Sequence, residues 1–342
     1  MRDRASEDDG PLRDAAASEP DGSEDDPPDD DAVERRALVV SAAQGGERLD
    51  KVLAAGVPEF SRSHLQQLIE SGCVLRAGRP VAKAATRVAR GDRLEIELRP
   101  TQQSQAFLPE PMALDIVHQD AHLLVVRKPA GLVTHPAPGN WSGTLLNGLL
   151  AHDAQAARLP RAGIVHRLDK DTSGLMVVAR SRAAMDALVR AIAAREVSRQ
   201  YLALAHRPWI GAPRRELDMP IGRDPRNRLR MAVVDLLQHA GKTARTTVDL
   251  LAEGDAGCLV RCTLHTGRTH QIRVHMARIG HPLVGDALYG GAPAAGMRRQ
   301  ALHAFRLAFV HPASGESMRF EAPPPQDFQD ALRAWALDYN PA

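Results

Sequence analysis

The chain has 342 residues, 44% apolar and 25% charged, with a formal net charge of +2. That balance suits a globular protein with chain enough for two domains, and no apolar run approaches the roughly 18 residues of a membrane-spanning helix. Three cysteines, Cys73, Cys258 and Cys262, cannot form a disulfide framework and fit a reducing compartment. The opening MRDRASEDDG has no apolar stretch, so no secretory signal is expected and the expected location is the cytoplasm.

The small net charge hides an asymmetry. Residues 1–36 hold 14 Asp/Glu against 5 Arg, a net of −9, and the other 306 residues hold 39 Lys/Arg against 28 Asp/Glu, a net of +11. The head is rich in Asp, Pro, Ser and Gly and has no aromatic residue, the composition of a disordered acidic segment. A basic body suits a polyanionic partner, because phosphates attract distributed Lys and Arg.

Between residues 45 and 100 a small α+β domain is predicted. RLDKVLAA (48–55) carries Leu49, Val52 and Leu53 at helical spacing, and Ser61 is a candidate N-cap for a second helix with Leu65, Leu68 and Ile69 on one face. Strand-like pieces follow at 73–76 and 92–98, with an AGRP turn at 77–80. Arg62, Arg76, Arg79, Lys83, Arg87 and Arg90 make the segment basic. The order RLDKVL, SRSHLQQLIESGCVLRAGRPV, GDRLEIEL resembles the S4 RNA-binding domain, which implies docking onto structured RNA, with Arg62 and Arg79 as candidate contacts.

RPTQQSQAFLPEP, rich in Gln and Pro, predicts a linker at 101–111. From Met112 the chain becomes strand-rich: LDIVHQD and HLLVVRKP, then MAVV, ARTTVDLLAEG and CLVRCTLHTG, with helices over 144–152 and 182–194 and RTHQIRVHMARIG (268–280) expected to turn into a helix. Cys258 and Cys262 share one face of the last strand and are read as packing residues. No Gly-rich loop between a strand and a helix signals phosphate or dinucleotide binding, and no fixed-period repeat is present. An α+β domain over 112–325 around a mixed, largely antiparallel sheet is expected, with a tail from 326 to 342.

Within it, GIVHRLDKDTSGLMVVAR (163–180) sets His166, Arg167, Asp169, Lys170 and Asp171 between two apolar runs, where unpaired charge is costly. The predicted shape is strand, loop, strand, with Asp171-Thr-Ser-Gly as the turn and an Asx-type bond from Asp171. Asp169 has no such use. Spacing alone leaves three readings: paired carboxylates for acid/base work as in glycoside hydrolysis, a divalent-metal site, or charges that pair with one another.

RAGIVHRLDKDTSGLMVVAR is similar to the catalytic motif of the RluA-type pseudouridine synthases, with HRLD intact at 166–169. Further blocks agree in order: RKPAGLVTHP (127–136), REVSRQYLAL (195–204), LHTGRTHQIRVHMARIGHPLVGDALYGG (264–291) and ALHAFRLAFVHP (301–312). HPAPGN at 135–140 departs mildly from the glycine-richer form of that family.

The resemblance implies a cofactor-free, metal-free isomerisation of uridine in RNA: the C1′–N1 bond breaks, the base rotates, and C5 joins C1′. It implies Asp169 as the catalytic carboxylate, Arg273 as its cation, Tyr201 stacking on the flipped base, Leu302 packing against that base, and Arg167, beside His166, replacing it in the RNA stack. Ile272 and Val274, read as strand residues, put Arg273 on the face of His275, with the Arg273 fork expected to grip Asp169 bidentately. His265, His270 and His275 recur every five residues without a carboxylate, and no metal is expected there. The resemblance of these blocks together with the leading S4 domain implies large-subunit ribosomal RNA or a pre-ribosomal particle as partner, with uridines of helix 69 as targets, and a monomer is expected as the working form. A sibling enzyme of other uridines in large-subunit or transfer RNA, and a mainly non-catalytic assembly factor, are the alternatives.

Overall fold

The computed structural model describes residues 34–99, 106–227 and 229–339. The chain divides into two compact units, 1–100 and 101–342.

In the first unit β1 (Glu34–Val39), β2 (Val74–Arg76), β3 (Arg79–Pro80) and β4 (Arg93–Leu98) form an antiparallel sheet in the order β1-β4-β2-β3. Two short amphipathic helices, α1 (Leu49–Gly56) and α2 (Arg62–Glu70), bury Leu49, Val52, Leu53, Leu65, Leu68 and Ile69 in one core with Val74, Leu94 and Ile96. Each such side chain contributes about 2 kcal/mol by leaving water. Ser61 caps α2 by accepting the His64 N–H at 3.3 Å. Asp50 is fully buried in α1 and survives there because Arg48, Arg62 and Gln66 all donate to its carboxylate.

The predicted head overlaps β1: Glu34–Arg36 pair with Leu98–Ile96. That strand was invisible in the sequence because its partner lies some sixty residues on and its own charges continue the composition of the head. The rest of the head, 1–33, lies outside the described residues.

In the second unit the strands are β5 (Ile116–Gln119), β6 (Leu123–Lys128), β7 (Ser173–Ala179), β8 (Ser198–His206), β9 (Arg214–Asp218), β10 (Ile221–Arg223), β11 (Met231–Val233), β12 (Gly241–Lys242), β13 (Arg245–Glu253), β14 (Gly257–Leu264), β15 (Leu302–Val310) and β16 (Ser317–Glu321). A nine-stranded mixed sheet runs β5-β6-β7-β15-β8-β14-β13-β9, with β16 on β15, while β10–β12 make a small separate sheet. The helices are α3 (Leu145–His152), α4 (Arg182–Ala194), α5 (Gln271–Arg278) and α6 (Gln326–Ala334). The large sheet is buried on both faces. Leu124, Val126, Met176, Val178, Ala203, Val260 and Cys262 look one way, and Leu123, Val125, Leu175, Val177 and Leu307 look the other.

Among the described strands one pair is parallel, β7 with β15, and its register covers only His303↔Ser173 and Ala304↔Gly174. The central strands part beyond those two residues, and the loop into β7 emerges at that seam.

Two other expected boundaries give way to packing. Ala106–Glu110 of the predicted linker is tied to α3: the Asn147 amide donates to the carbonyls of Ala106 and Leu108, and the Glu110 carboxylate accepts the Gly143 N–H at 2.8 Å. Residues 100–105 lie outside the described residues. The predicted tail contains α6, whose Phe328, Ala331 and Leu332 are buried with Leu204, Leu259 and Phe305. Their i, i+3, i+4 spacing is that of an amphipathic helix.

Candidate active site

The charged stretch 163–180 is a loop held at both ends by glycines. Gly163 (φ 79°) and Gly174 (φ 118°) take left-handed backbone conformations, and a Cβ would strike the Ala179 carbonyl from the first and the Ala304 backbone from the second. The expected entering strand is reduced to one isolated bridge, Ile164↔Val178, because the chain reaches it from a 3-10 turn at Pro160–Gly163. The returning strand is β7.

The turn is closed by the backbone, Thr172 N–H to Asp169 C=O at 3.1 Å. The expected Asx bond of Asp171 is not formed. Its carbonyl instead accepts from Arg299 Nη1 at 2.9 Å.

The RKPAGLVTHP segment clamps the same loop. Lys128, at the end of β6, is buried and donates to the carbonyls of Pro129, Leu132 and Lys170 at 2.8–2.9 Å, while Thr134 Oγ1 donates to the Leu168 carbonyl at 2.8 Å. Burial pushes the Lys128 ammonium down to about 7, against the pull of Asp169 and Asp171. Three accepting carbonyls need three N–H donors, so the bonding pattern is that of the charged form.

Asp169 therefore stands on a loop whose flanking carbonyls are fixed. Its Oδ2 accepts from Arg273 Nη1 at 3.0 Å, and its Oδ1 lies 3.9 Å from His270 Nε2.

Arg273 comes from α5, not from a strand, so the alternation expected from Ile272 and Val274 does not apply. Nor does its fork grip Asp169. The bidentate partner is Asp286, with Nε to Oδ2 at 2.7 Å and Nη2 to Oδ1 at 2.8 Å. The Asp286 side chain is 1% exposed. Burial acts against the guanidinium charge, yet the pairs with Asp286 and Asp169 outweigh it and raise the Arg273 pKa above its ordinary value. The Tyr289 ring lies against the guanidinium at 5.0 Å.

His270 precedes α5 in the left-handed region at φ 56°. Its Nδ1 is 2.8 Å from the Tyr289 hydroxyl, which also accepts the Met231 N–H at 3.0 Å. This arrangement favours Tyr O–H donation to Nδ1, which leaves the ring proton on Nε2, facing Asp169. The other two histidines of the five-residue series are occupied elsewhere, His265 with Thr247 and His275 with Thr246 and the Met219 carbonyl.

Asp169, His270 and Arg273 open onto a cleft of about 680 Å³, a size suited to a small organic group. Asp169, Arg273, Tyr201, Leu302, Arg167 and His166 all face it, so the structure gathers every site residue expected in this unit.

Tyr201 projects from β8, and burial, opposed by the Arg199 charge and aided by Asp169, pushes its hydroxyl up to about 12. Leu302 starts β15 opposite Ala203. Arg167 is exposed and makes no ion pair with Asp171 among the described residues. His166 turns inward to accept the Val177 N–H on Nε2 at 3.1 Å, and burial pushes its ring down to about 3, with the Arg199 charge adding to the effect. It is a neutral ring with its proton on Nδ1.

Arg62 and Arg79 belong to the first unit. Arg62 is paired with Asp50 and half exposed, and Arg79 is exposed. Asp286, Tyr289 and Lys128 were not singled out in the sequence, and His270 entered only as one of the histidine series, although all four lie inside the quoted family blocks.

The profile of the RNA pseudouridylate synthase family matches residues 122–278, and that of the S4 domain matches 47–94. A ribosomal large subunit pseudouridine synthase D of Neisseria meningitidis serogroup B is 46% identical over 314 residues, spanning 88% of this chain and 82% of that protein. An uncharacterized RNA pseudouridine synthase of Bacillus subtilis is 43% identical over 298 residues, spanning 86% and 96%. The solved structure of human RNA pseudouridylate synthase domain containing 1 superposes with a TM-score of 0.52 at 29% identity, covering 67% of this chain and 91% of that one. With that identity over most of its length, the chain belongs to the RNA pseudouridine synthases, isomerases of uridine, and carries an S4 domain ahead of its catalytic domain.

Proposed function

We propose that this protein converts specific uridines of large-subunit ribosomal RNA to pseudouridine, with the stem-loop of helix 69 as its target and Asp169 as the essential residue. The observation that carries the reading is the Asp169 carboxylate, presented on a clamped loop to the Arg273 guanidinium at 3.0 Å inside a cleft that Tyr201 and Leu302 also line. The ribosomal assignment rests on relatives named for the large subunit, 42–46% identical to this chain.

The chemistry needs no redox partner. The electron pair of the C1′–N1 bond leaves with the base, the uracil turns in the cleft, C5 bonds to C1′, the C5 proton is released and N1 gains one. A carboxylate beside the anomeric carbon serves this by attack at C1′ or by removing a sugar proton, and both roles require the anion.

Arg273 holds the carboxylate ionised and oriented. Tyr201 stacks on the flipped uracil and Leu302 packs against it. His166 fixes the loop so that Arg167 fills the gap left in the RNA stack, where unstacking costs a few kcal/mol. In the S4 unit, Arg62 and Arg79 contact phosphates. The working form is a cytoplasmic monomer acting on ribosomal RNA or a pre-ribosomal particle.

Asp169→Asn tests the reading. Conversion of the target uridines in transcribed ribosomal RNA should vanish while RNA affinity stays within about twofold. Surviving conversion refutes the role of Asp169. Pseudouridine formed at other sites refutes the target.

A further inference from the structure

The cleft holds six arginines and one carboxylate. Arg161, Arg167, Arg195, Arg199, Arg268 and Arg273 line it, with Asp169 as the acidic group. Asp169 is committed to Arg273, and among the described residues the other five have no ion-pair partner. Arg161, Arg167 and Arg195 are exposed and Arg268 is half-buried, so water solvates them.

Arg199 is different. It is 5% exposed, and its Nε is buried without a hydrogen-bond partner. Unpaired buried charge costs several kcal/mol, and structures retain it where a ligand supplies the counter-charge.

The surroundings of Arg199 are built for that. Arg199 and Tyr201 are two residues apart on β8, where side chains alternate, so both look from one face of the strand into the cleft. Across the cleft wall the backbone of Gly267 leaves room for the guanidinium, since a Cβ there would lie 2.9 Å from Arg199 Nη1. The fork is thus held beside the ring on which the base stacks, and among the described residues it makes no hydrogen bond.

We infer that Arg199 is the cation of an oxyanion subsite for the target nucleotide, distinct from the Asp169–Arg273 pair. Two groups of a bound uridine carry such an oxygen. When the C1′–N1 bond breaks, the electron pair on the uracil spreads onto O2 and O4, and a planar donor beside the base stabilises that anion. The phosphodiester flanking the flipped nucleotide carries the other. The inference rests on the RNA isomerase reading and adds a residue to it.

Arg199→Met keeps the bulk and removes the charge, Arg199→Lys keeps the charge and loses the fork, and both are compared with wild type on transcribed large-subunit ribosomal RNA. Relief of an unpaired buried charge should raise the melting temperature of Arg199→Met without RNA by about 2–4 °C, while function falls. If the oxyanion is on the uracil, the single-turnover rate drops about 100-fold with an unchanged salt dependence of binding. If it is the phosphodiester, affinity weakens and the slope of log K against log salt falls by about 0.7–0.9, with the saturated rate held.

Wild-type rate and affinity in Arg199→Met overturn the inference, as does a lowered melting temperature with Arg199→Lys fully active. Turnover by wild type reports on the ribosomal assignment separately. Binding is measured in the Asp169→Asn background, so the Arg199 comparison is readable whichever uridine is modified.

Discussion

Asp286 is the sharpest place to test the geometry of the site, because it is not part of the cleft lining and reaches it only through Arg273. It holds Arg273 by two hydrogen bonds at 2.7 and 2.8 Å and is itself 1% exposed, so the pair is dry. Removing one member of a buried pair costs about 3–5 kcal/mol, because the other is left charged without a partner. Arg273 keeps Asp169, so Asp286→Ala belongs at the lower end, about 3 kcal/mol, or roughly 6–12 °C of melting temperature in a domain of this size.

Asp286→Asn is the milder probe. It keeps the shape and one acceptor but sets an amide N–H against the fork and frees Arg273 to swing toward Asp169. The distance between that guanidinium and the Asp169 carboxylate is then no longer fixed. The single-turnover rate should fall about 10- to 100-fold, equivalent to about 1.4–2.7 kcal/mol of lost transition-state stabilisation, with substrate affinity unchanged. Single-turnover conversion, read as pseudouridine by nucleoside chromatography beside a thermal melt, gives both numbers. Asp286→Asn with a wild-type rate and a wild-type melting temperature would show that Asp286 does not position Arg273, and the argument fails.

Acid should weaken the catalytic unit through its histidines. Burial pushes His135 and His303 down to about 4 and His166 to about 3, whereas in the unfolded chain all three titrate near 6.5. The unfolded state binds more protons as pH falls through 6.5, so stability present at pH 7 is lost progressively toward pH 4. The melting temperature should fall between pH 7 and pH 5 by more than the roughly 2–4 °C that 1 kcal/mol produces, and a flat profile counts against the burial of these rings. Gly174→Ala drives a Cβ into the Ala304 backbone at the seam where the loop enters β7. Soluble protein with a wild-type melting temperature and rate would contradict that packing.

Much of the site was legible because its parts carry local signatures. The HRLD stretch, the Tyr201 block and the Arg273 block are dense motifs. The parts that escaped share a physical cause: their meaning depends on a partner far away in the chain. β1 looks like the end of an acidic head until β4, some sixty residues on, pairs with it. Arg273 reads equally well as a strand residue between Ile272 and Val274, since a single apolar alternation does not distinguish a strand from a short helix. Asp286 sits in the turn-like stretch VGDALYGG, and nothing local indicates that its carboxylate is buried against a guanidinium thirteen residues earlier. Arg199 could not be recognised at all. An arginine on a strand is ordinary until the fold shows that it has no partner among the described residues.

The charges of the site divide into two groups with different work. Arg273 is gripped by two carboxylates, so the Asp169–Arg273–Asp286 cluster carries one net negative charge before substrate enters. A cation already compensated twice is a poor attractor for RNA, and its consequence is structural: it fixes the angle at which Asp169 is presented to the cleft. In the proposed function attraction falls to the arginines that have no carboxylate partner among the described residues, with Arg161, Arg167 and Arg195 exposed and Arg199 deep beside Tyr201. The fold keeps the groups apart by drawing them from different elements. The carboxylate comes from the loop into β7, its orienting cation from α5, and the unpaired arginine from β8, whose pairing with β15 also brings Leu302 to the cleft. Under the proposed function, an anionic cluster set among these cations would repel the phosphates it does not use while the surrounding arginines hold the strand. Exchanging charge between the groups should therefore harm binding and chemistry separately.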